Sequence, residues 1–160
     1  MSETLSDLFR QAMRRAPASV YILATAQDGE RAGMTATAVT SLSFDPLSML
    51  VCVHKSASCH PMLLAAGRFS LSLLSPADEA VAIAFSTSGT EKTRFSSGRW
   101  TEQSGLPALT TAAATMTLQI TARHDAATHT VFFGDVESVV LNQSDDTLLY
   151  GAGSFGGFQA

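Results

Sequence analysis

At 160 residues, with 46% hydrophobic and 15% charged residues, the chain has the size and composition of one domain around a sizeable apolar core. Its net charge of −4, with no Lys/Arg cluster larger than Arg14-Arg15, excludes a general nucleic-acid binder, which carries a basic stripe. No apolar run approaches the ~20 residues of a membrane-spanning helix. The low charge fits two readings equally: a surface partly covered by another subunit, or a barrel rich in Ala, Ser and Thr.

The acidic, polar opening Met-Ser-Glu-Thr is unlike a secretory signal, and cytoplasmic residence is the resulting expectation. Residues 4–15 read as an amphipathic helix, with Leu5, Leu8, Phe9, Ala12 and Met13 on one face, Thr4 and Asp7 placed to cap it, and Pro17 to stop it. A strand follows over 19–26, and Asp28-Gly29 is a hairpin signal. Residues 33–46 read as one strand, with Thr35 and Thr37 on one face and Met34, Ala36 and Ala38 on the other. Asp45-Pro46 interrupts the ladder, because proline has no N–H to give. The apolar run 49–53 suits a strand buried on both faces. Residues 55–58 form a loop with one cation and two hydroxyls. His60-Pro61 begins a short helix over 62–66, stopped by Gly67, whose N-terminus is a ready anion site.

Residues 69–74 alternate as a half-buried strand, and Pro76 opens a helix over 77–85 with Val81 and Phe85 on one face. A polar, mobile loop over 86–93 leads to Arg94-Phe95, and an irregular stretch carries Trp100 and Leu106-Pro107. Two strands follow at 115–123 and 129–141, the second with Gly134 marking a bulge. A turn over 142–146 precedes a last strand, 147–150, and residues 152–160 read as a flexible tail. The expected architecture is mainly β, one domain over 1–160: a small closed or split barrel capped by about three short helices, the first within residues 1–16.

Several chemistries can be weighed on residues alone. Gly151-Ala-Gly153-Ser-Phe-Gly156 matches the letters of G-x-G-x-x-G but opens no helix and has no βαβ unit, so a dinucleotide fingerprint is rejected. Cys52, His54, Cys59 and His60 lack the spacing of a structural zinc site, and no metal is expected. The two cysteines make no redox motif and read as reduced thiols. No nucleophile with a base, and no carboxylate pair, stands out. His129, taken alone, is a turn histidine at the start of a strand.

The segment Gly33-Met-Thr-Ala-Thr-Ala-Val-Thr-Ser-Leu-Ser-Phe-Asp-Pro46, with Leu50-Val-Cys-Val53 and Ser56-Ala-Ser-Cys-His-Pro61, resembles the flavin reductase family with the FMN-binding split-barrel fold of Greek-key type. The likeness runs from about Phe9 to Tyr150. It implies an NAD(P)H-dependent reductase, a homodimer that binds FMN or FAD and takes hydride from NADH or NADPH. Such reductases supply reduced flavin to a flavin-dependent monooxygenase. It implies that Thr35, Ala36, Thr37 and Ala38 run along the flavin ring edge, and that Cys52, Val53 and His54 lie beside the ring. Lys55, Ser56 and Ser58 would hold the phosphate, with Lys92 and Phe95 as a basic–aromatic pair near it. Ser41, Phe85 and Tyr150 complete the implied cofactor contacts, and His129 would position the nicotinamide. Ala127 replaces a glycine usual in the family, and Gly151-Ala-Gly153 replaces bulkier, often basic residues. Two other readings stay open: a flavin-binding storage or sensor module without turnover, and a split-barrel oxidase acting on pyridoxine phosphate or another substrate.

Overall fold

The structure, a computed structural model, describes residues 2–158. Helix α1 (Leu5–Arg14) starts where the sequence places it, because the Thr4 hydroxyl accepts from the Asp7 N–H and the Asp7 carboxylate accepts from the Thr4 N–H. Then come β1 (Ala18–Ser19), β2 (Tyr21–Gln27), β3 (Glu30–Ala36), β4 (Val39–Phe44), β5 (Leu47–His54), α2 (His60–Ala66) and β6 (Arg68–Leu73). A 3-10 turn, Pro76–Asp78, leads into α3 (Glu79–Ser86), and a second, Arg94–Ser96, precedes β7 (Trp100–Gln103) and β8 (Leu106–Leu109). The chain finishes with β9 (Ala114–Ala126), β10 (His129–Leu141), β11 (Leu148–Gly151) and β12 (Ser154–Gly157).

Seven antiparallel strands form the main sheet in the order β3-β2-β6-β9-β10-β5-β4. Its two outermost strands, β3 and β4, are consecutive in the chain and joined only by Thr37 and Ala38. A link that short reaches on the order of 10 Å. The two edges therefore converge at Thr37-Ala38, and the sheet curls into a barrel that meets itself there. The Cys52 N–H donates to the Ala38 carbonyl at 3.0 Å, tying the crossing to β5. The expected single strand over 33–46 is thus two strands serving opposite edges of one sheet.

Side-chain alternation sorts the core into two layers. Leu23, Val51, Phe69, Leu71, Leu118 and Phe132 fill the barrel, with Leu63 of α2 packed among them. On the outer face of the same strands, Ile22 and Ala24 pack with Val81, Ala82 and Phe85 of α3 and with Leu109 of β8. Strand β6 is therefore buried on both faces, where alternation predicted one: Ser70 and Ser72 lie under the β7–β8 hairpin, Ser70 donating to the Pro107 carbonyl and Ser72 paired with Thr115 at 3.2 Å. Thr115 and Thr117 are buried in that same polar layer. Strand β5 departs the other way. Met49, Val51 and Val53 face the core while Leu50 and Cys52 on the other face are only half-buried.

Two further corrections concern turns. The stretch around Trp100 and Pro107 is the β7–β8 hairpin, closed by Ser104-Gly105 at φ 52° and 81°. Of the expected flexible tail, residues 154–157 form the second strand of a hairpin: β12 pairs with β11 in register Leu148 to Gly157 through Gly151 to Ser154, beside β1, and residues 159–160 lie outside the described residues. The G-x-G-x-x-G letters are the turn of that hairpin. Asp45-Pro46 is a turn, in the cis form. Gly134 sits at a register shift between β9 and β10, the bulge its position foretold. Helix α3 begins two residues later than predicted, after Asp78 has turned back to accept from the Ser75 N–H.

Candidate active site

The barrel crossing assembles most of the residues the sequence singles out. Thr37 and Ala38 are exposed at the junction, Cys52 lies beside them on β5, and β5 ends at His54. Strand β10 runs antiparallel to β5 with His129 opposite His54 and Val131 opposite Cys52. The two imidazoles stand edge to face, ring centroids 4.9 Å apart. Ala127, in the turn before His129, has φ 50°, so the alanine keeps a left-handed turn that a glycine adopts freely, at a cost on the order of 1 kcal/mol.

Loop 55–58 is held tightly. The Lys55 N–H donates to the Thr128 carbonyl at 2.9 Å, joining the loop to the His129 turn. The Ser56 N–H donates to His54 Nδ1 at 3.1 Å, so that nitrogen accepts; the Ser56 hydroxyl, 2.7 Å away, donates to it as well. In neutral His54 the proton therefore sits on Nε2. Similar logic fixes His60: the Thr130 hydroxyl donates to Asp125 at 2.8 Å, so it accepts from His60 Nε2 at 2.9 Å. The Thr130 hydroxyl bond, with the nearby charges of Lys55, Arg123 and His60, holds the Asp125 carboxyl below its usual range. Main-chain N–H groups of Lys55, Ser56, Ala57 and His60 are all bonded within the protein. With α2 only seven residues long, an anion at this loop draws chiefly on side-chain donors.

Of the expected phosphate-loop residues, Ser58 lines a cleft of about 560 Å³ between the start of β3 and the segment 91–95, and Lys55 and Ser56 do not line it. Ser58, Lys92 and Phe95 meet there as expected, joined by Arg31 and Arg94, which the sequence reading did not single out. Three cations face two carboxylates, Glu30 and Glu91, so the cleft is net positive in an acidic chain. Arg94 is only 7% exposed, and Arg31 lies over the Phe95 ring at 4.4 Å. The signal for Arg94 was its place between Lys92 and Phe95; its burial has no local signature.

A second cleft, of about 420 Å³, holds Thr37 and Tyr150 beside α1. Tyr150 stacks on Phe155 of β12 at 5.0 Å. Ser41 lies further along β4, exposed opposite Met49. Four of the expected contact residues point elsewhere. Phe85 is 1% exposed, packed against Phe95 and Trp100, and supports β3 from below without lining a cleft. The side chains of Ala36 and Val53 face the barrel interior, leaving only their backbones to the site. The Thr35 hydroxyl donates to the Ala82 carbonyl at 2.6 Å, pinning β3 to α3. Among the described residues, no three His, Cys, Asp or Glu side chains come together to hold a metal ion. No described helix is long and apolar enough to cross a membrane.

The barrel thus carries exposed small residues at its crossing, an imidazole pair beside them, and a positive cleft at one end of β3. Comparison with known proteins gives this arrangement a family. The chain is 36% identical over 146 residues to the FMN reductase (NADH) RutF of Methylorubrum populi, covering 91% of this chain and 72% of the relative. It is 36% identical over 151 residues to the reductase component of the FADH(2)-dependent resorcinol hydroxylase of a Rhizobium species, covering 92% of this chain and 84% of that one. The solved structure of Streptomyces globisporus NADH:FAD oxidoreductase SgcE6, in complex with NAD and FAD fragments, superposes with a TM-score of 0.89 at 28% identity, over 99% of this chain and 97% of that one. The sequence model of the flavin reductase like domain matches residues 13–159, nearly the whole barrel, and the chain belongs to that family.

Proposed function

We propose that this chain is an NADH-dependent flavin reductase, acting in the cytoplasm as a homodimer, that delivers reduced FMN or FAD to a flavin-dependent monooxygenase component. The observation that carries the reading is that, on a chain of this family, loop 55–58 runs from the His54–His129 pair to Ser58 in the cationic cleft. The residues fit a flavin. Exposed Thr37 and Ala38 let a flat ring approach the backbone, and Ser58, Lys92 and Arg94 supply donors and positive charge for a phosphate.

When bound, nicotinamide and flavin supply the chemistry, a hydride passing from one ring to the other. No acid–base pair is then needed from the protein. Thr37, Ala38 and Cys52 form the surface against which a ring is oriented, His129 positions the hydride donor, and His54 braces His129 edge-on. Cytoplasmic action accords with the need for a supply of reduced nicotinamide and with two free cysteines. The test is steady-state nicotinamide oxidation with FMN or FAD added in turn. NADH consumption that requires added flavin, with NADPH poorer, supports the reading; no flavin-dependent consumption of either contradicts it.

A further inference from the structure

The glycines of the β11–β12 turn are where the end of α1 comes to rest. A Cβ on Gly151 would stand 3.1 Å from Pro17 Cα, and one on Gly153 only 2.7 Å from Arg14 Nη2. The missing side chains are thus the room in which Pro17 and the Arg14 guanidinium lie. Two hydrogen bonds fix that seat. The Ala152 N–H donates to the Arg14 carbonyl at 2.7 Å, and Arg14 Nη2 donates to the Ala152 carbonyl at 3.4 Å.

Seated there, Arg14 lines the cleft of Thr37 and Tyr150 together with Arg10, and no carboxylate lines it. Arg10 is paired with Asp7 at 3.3 Å, whereas Arg14 has no carboxylate partner among the described residues. Its charge is left for an anion. The chain therefore has two positive clefts, at opposite ends of β3: one takes in Ala32, the other Thr37. At the rise of a strand those two residues are roughly 17 Å apart. Hydride transfer from NADH to a flavin must seat two phosphorylated ligands together. With a flavin ring against Thr37-Ala38 and its phosphate drawn to the cleft at the start of β3, the Arg14 cleft is left for the doubly charged pyrophosphate of the other ligand.

Resting on the reductase reading above, we infer that Arg14 binds the pyrophosphate of the nicotinamide dinucleotide, on a seat that Gly153 leaves open. The experiment titrates the protein loaded with oxidised FMN, by calorimetry, with NAD+ and with nicotinamide riboside. NAD+ cannot reduce the flavin, and the riboside has the same ring without a phosphate. The ratio of the two affinities isolates the phosphate contribution. Arg14→Gln lowers the preference for NAD+ roughly tenfold, the loss of one charge-assisted hydrogen bond. Added salt weakens NAD+ binding in the parent and does so less in Arg14→Gln. Arg15→Gln, which borders the neighbouring cleft of Leu149 and Phe155, leaves the ratio as in the parent. Gly153→Ala pushes the guanidinium off its seat, so it lowers the ratio in the parent background and has no further effect on top of Arg14→Gln.

An NAD+ preference unchanged in Arg14→Gln reduces Arg14 to an anchor for α1 and overturns the assignment. A loss that falls on FAD relative to FMN, with the NAD+ ratio as in the parent, gives the cleft to the adenylate half of FAD and overturns it too. Should the parent consume NADH with flavin yet bind NAD+ and nicotinamide riboside alike, this inference fails alone. If it consumes no NADH, the functional reading fails first and carries this inference with it.

Discussion

Cys59 shows how burial alone sets the chemistry of a group that looks reactive in the sequence. It sits next to two serines and a histidine in a loop, yet it is fully buried among Leu63 and the barrel core. Burial pushes its thiol from 9.0 up to about 11, against a smaller opposing influence from a main-chain hydrogen bond and the Arg94 charge. The folded chain holds that proton more tightly than the unfolded one. Its contribution is therefore intact below pH 9 and is lost as pH climbs towards 11, about 2–3 kcal/mol in all. Denaturant midpoints measured from pH 8 to 11 should fall more steeply in the parent than in Cys59→Ala; parallel slopes would refute the assignment. Tyr21, whose pKa burial also raises, adds to the slope that remains. His129 is half-buried and meets His54 edge-on, and its proposed role is to position the hydride donor. His129→Ala is expected to raise KM for NADH roughly tenfold, the loss of one good hydrogen bond, while flavin affinity stays put. Equal losses on both ligands would mean that the turn had collapsed.

At the scale of elements, the strand β3 is the joint between core and site, and Gly33 is its tightest point. A Cβ there would lie 2.8 Å from the Leu23 carbonyl and 3.0 Å from Phe85. Gly33 also gives its own carbonyl to Arg94, so any shift of β3 reaches the cleft. Gly33→Ala should cost about 1–3 kcal/mol in denaturant unfolding, through overpacking against backbone that cannot yield. A change under a few tenths would show that β3 has room to move. Most elements were legible because their signals are local. The Thr4–Asp7 capping pair, Asp28-Gly29, His60-Pro61 with Gly67, and the strand pattern up to Gly134 all act within a few residues. The misses have a common cause in tertiary contact. Nothing near Thr37-Ala38 says that a sheet closes there, since closure depends on β4 pairing with β5 and β3 with β2. Pro107 disguised a strand whose Ser-Gly turn was visible, and glycines disguised β12. Of the candidate site, Thr37, Ala38, His129, Ser58 and Lys92 were singled out through family resemblance. The burial of Arg94 and the loss of Phe85 to the core were not legible, because neither leaves a mark in neighbouring residues.

For the whole molecule, the largest unspent resource is apolar surface. Helix α1 buries none of its residues: Leu5 is 84% and Phe9 64% exposed, with Leu8 and Met13 about half exposed. Phe44 at the β4–β5 turn and Leu141 at the end of β10 add to it. Touching the rest of the described chain mainly at Arg14, and with its apolar residues left exposed, α1 is a candidate for a partner in another chain, and it also borders the cleft of Thr37 and Tyr150. The proposed homodimer would cover that face and help to close the site. Sedimentation should give twice the 16.8 kDa chain mass, and Phe9→Glu should drive the protein to monomer. A monomeric parent would contradict the dimer without touching the barrel. The central claim, hydride transfer to flavin on this barrel, is tested most directly by anaerobic mixing of the protein with FMN or FAD and excess NADH, following the oxidised-flavin absorbance. Bleaching well above the protein-free rate is predicted. Tight flavin binding with no bleaching would contradict it and leave a binding module in its place.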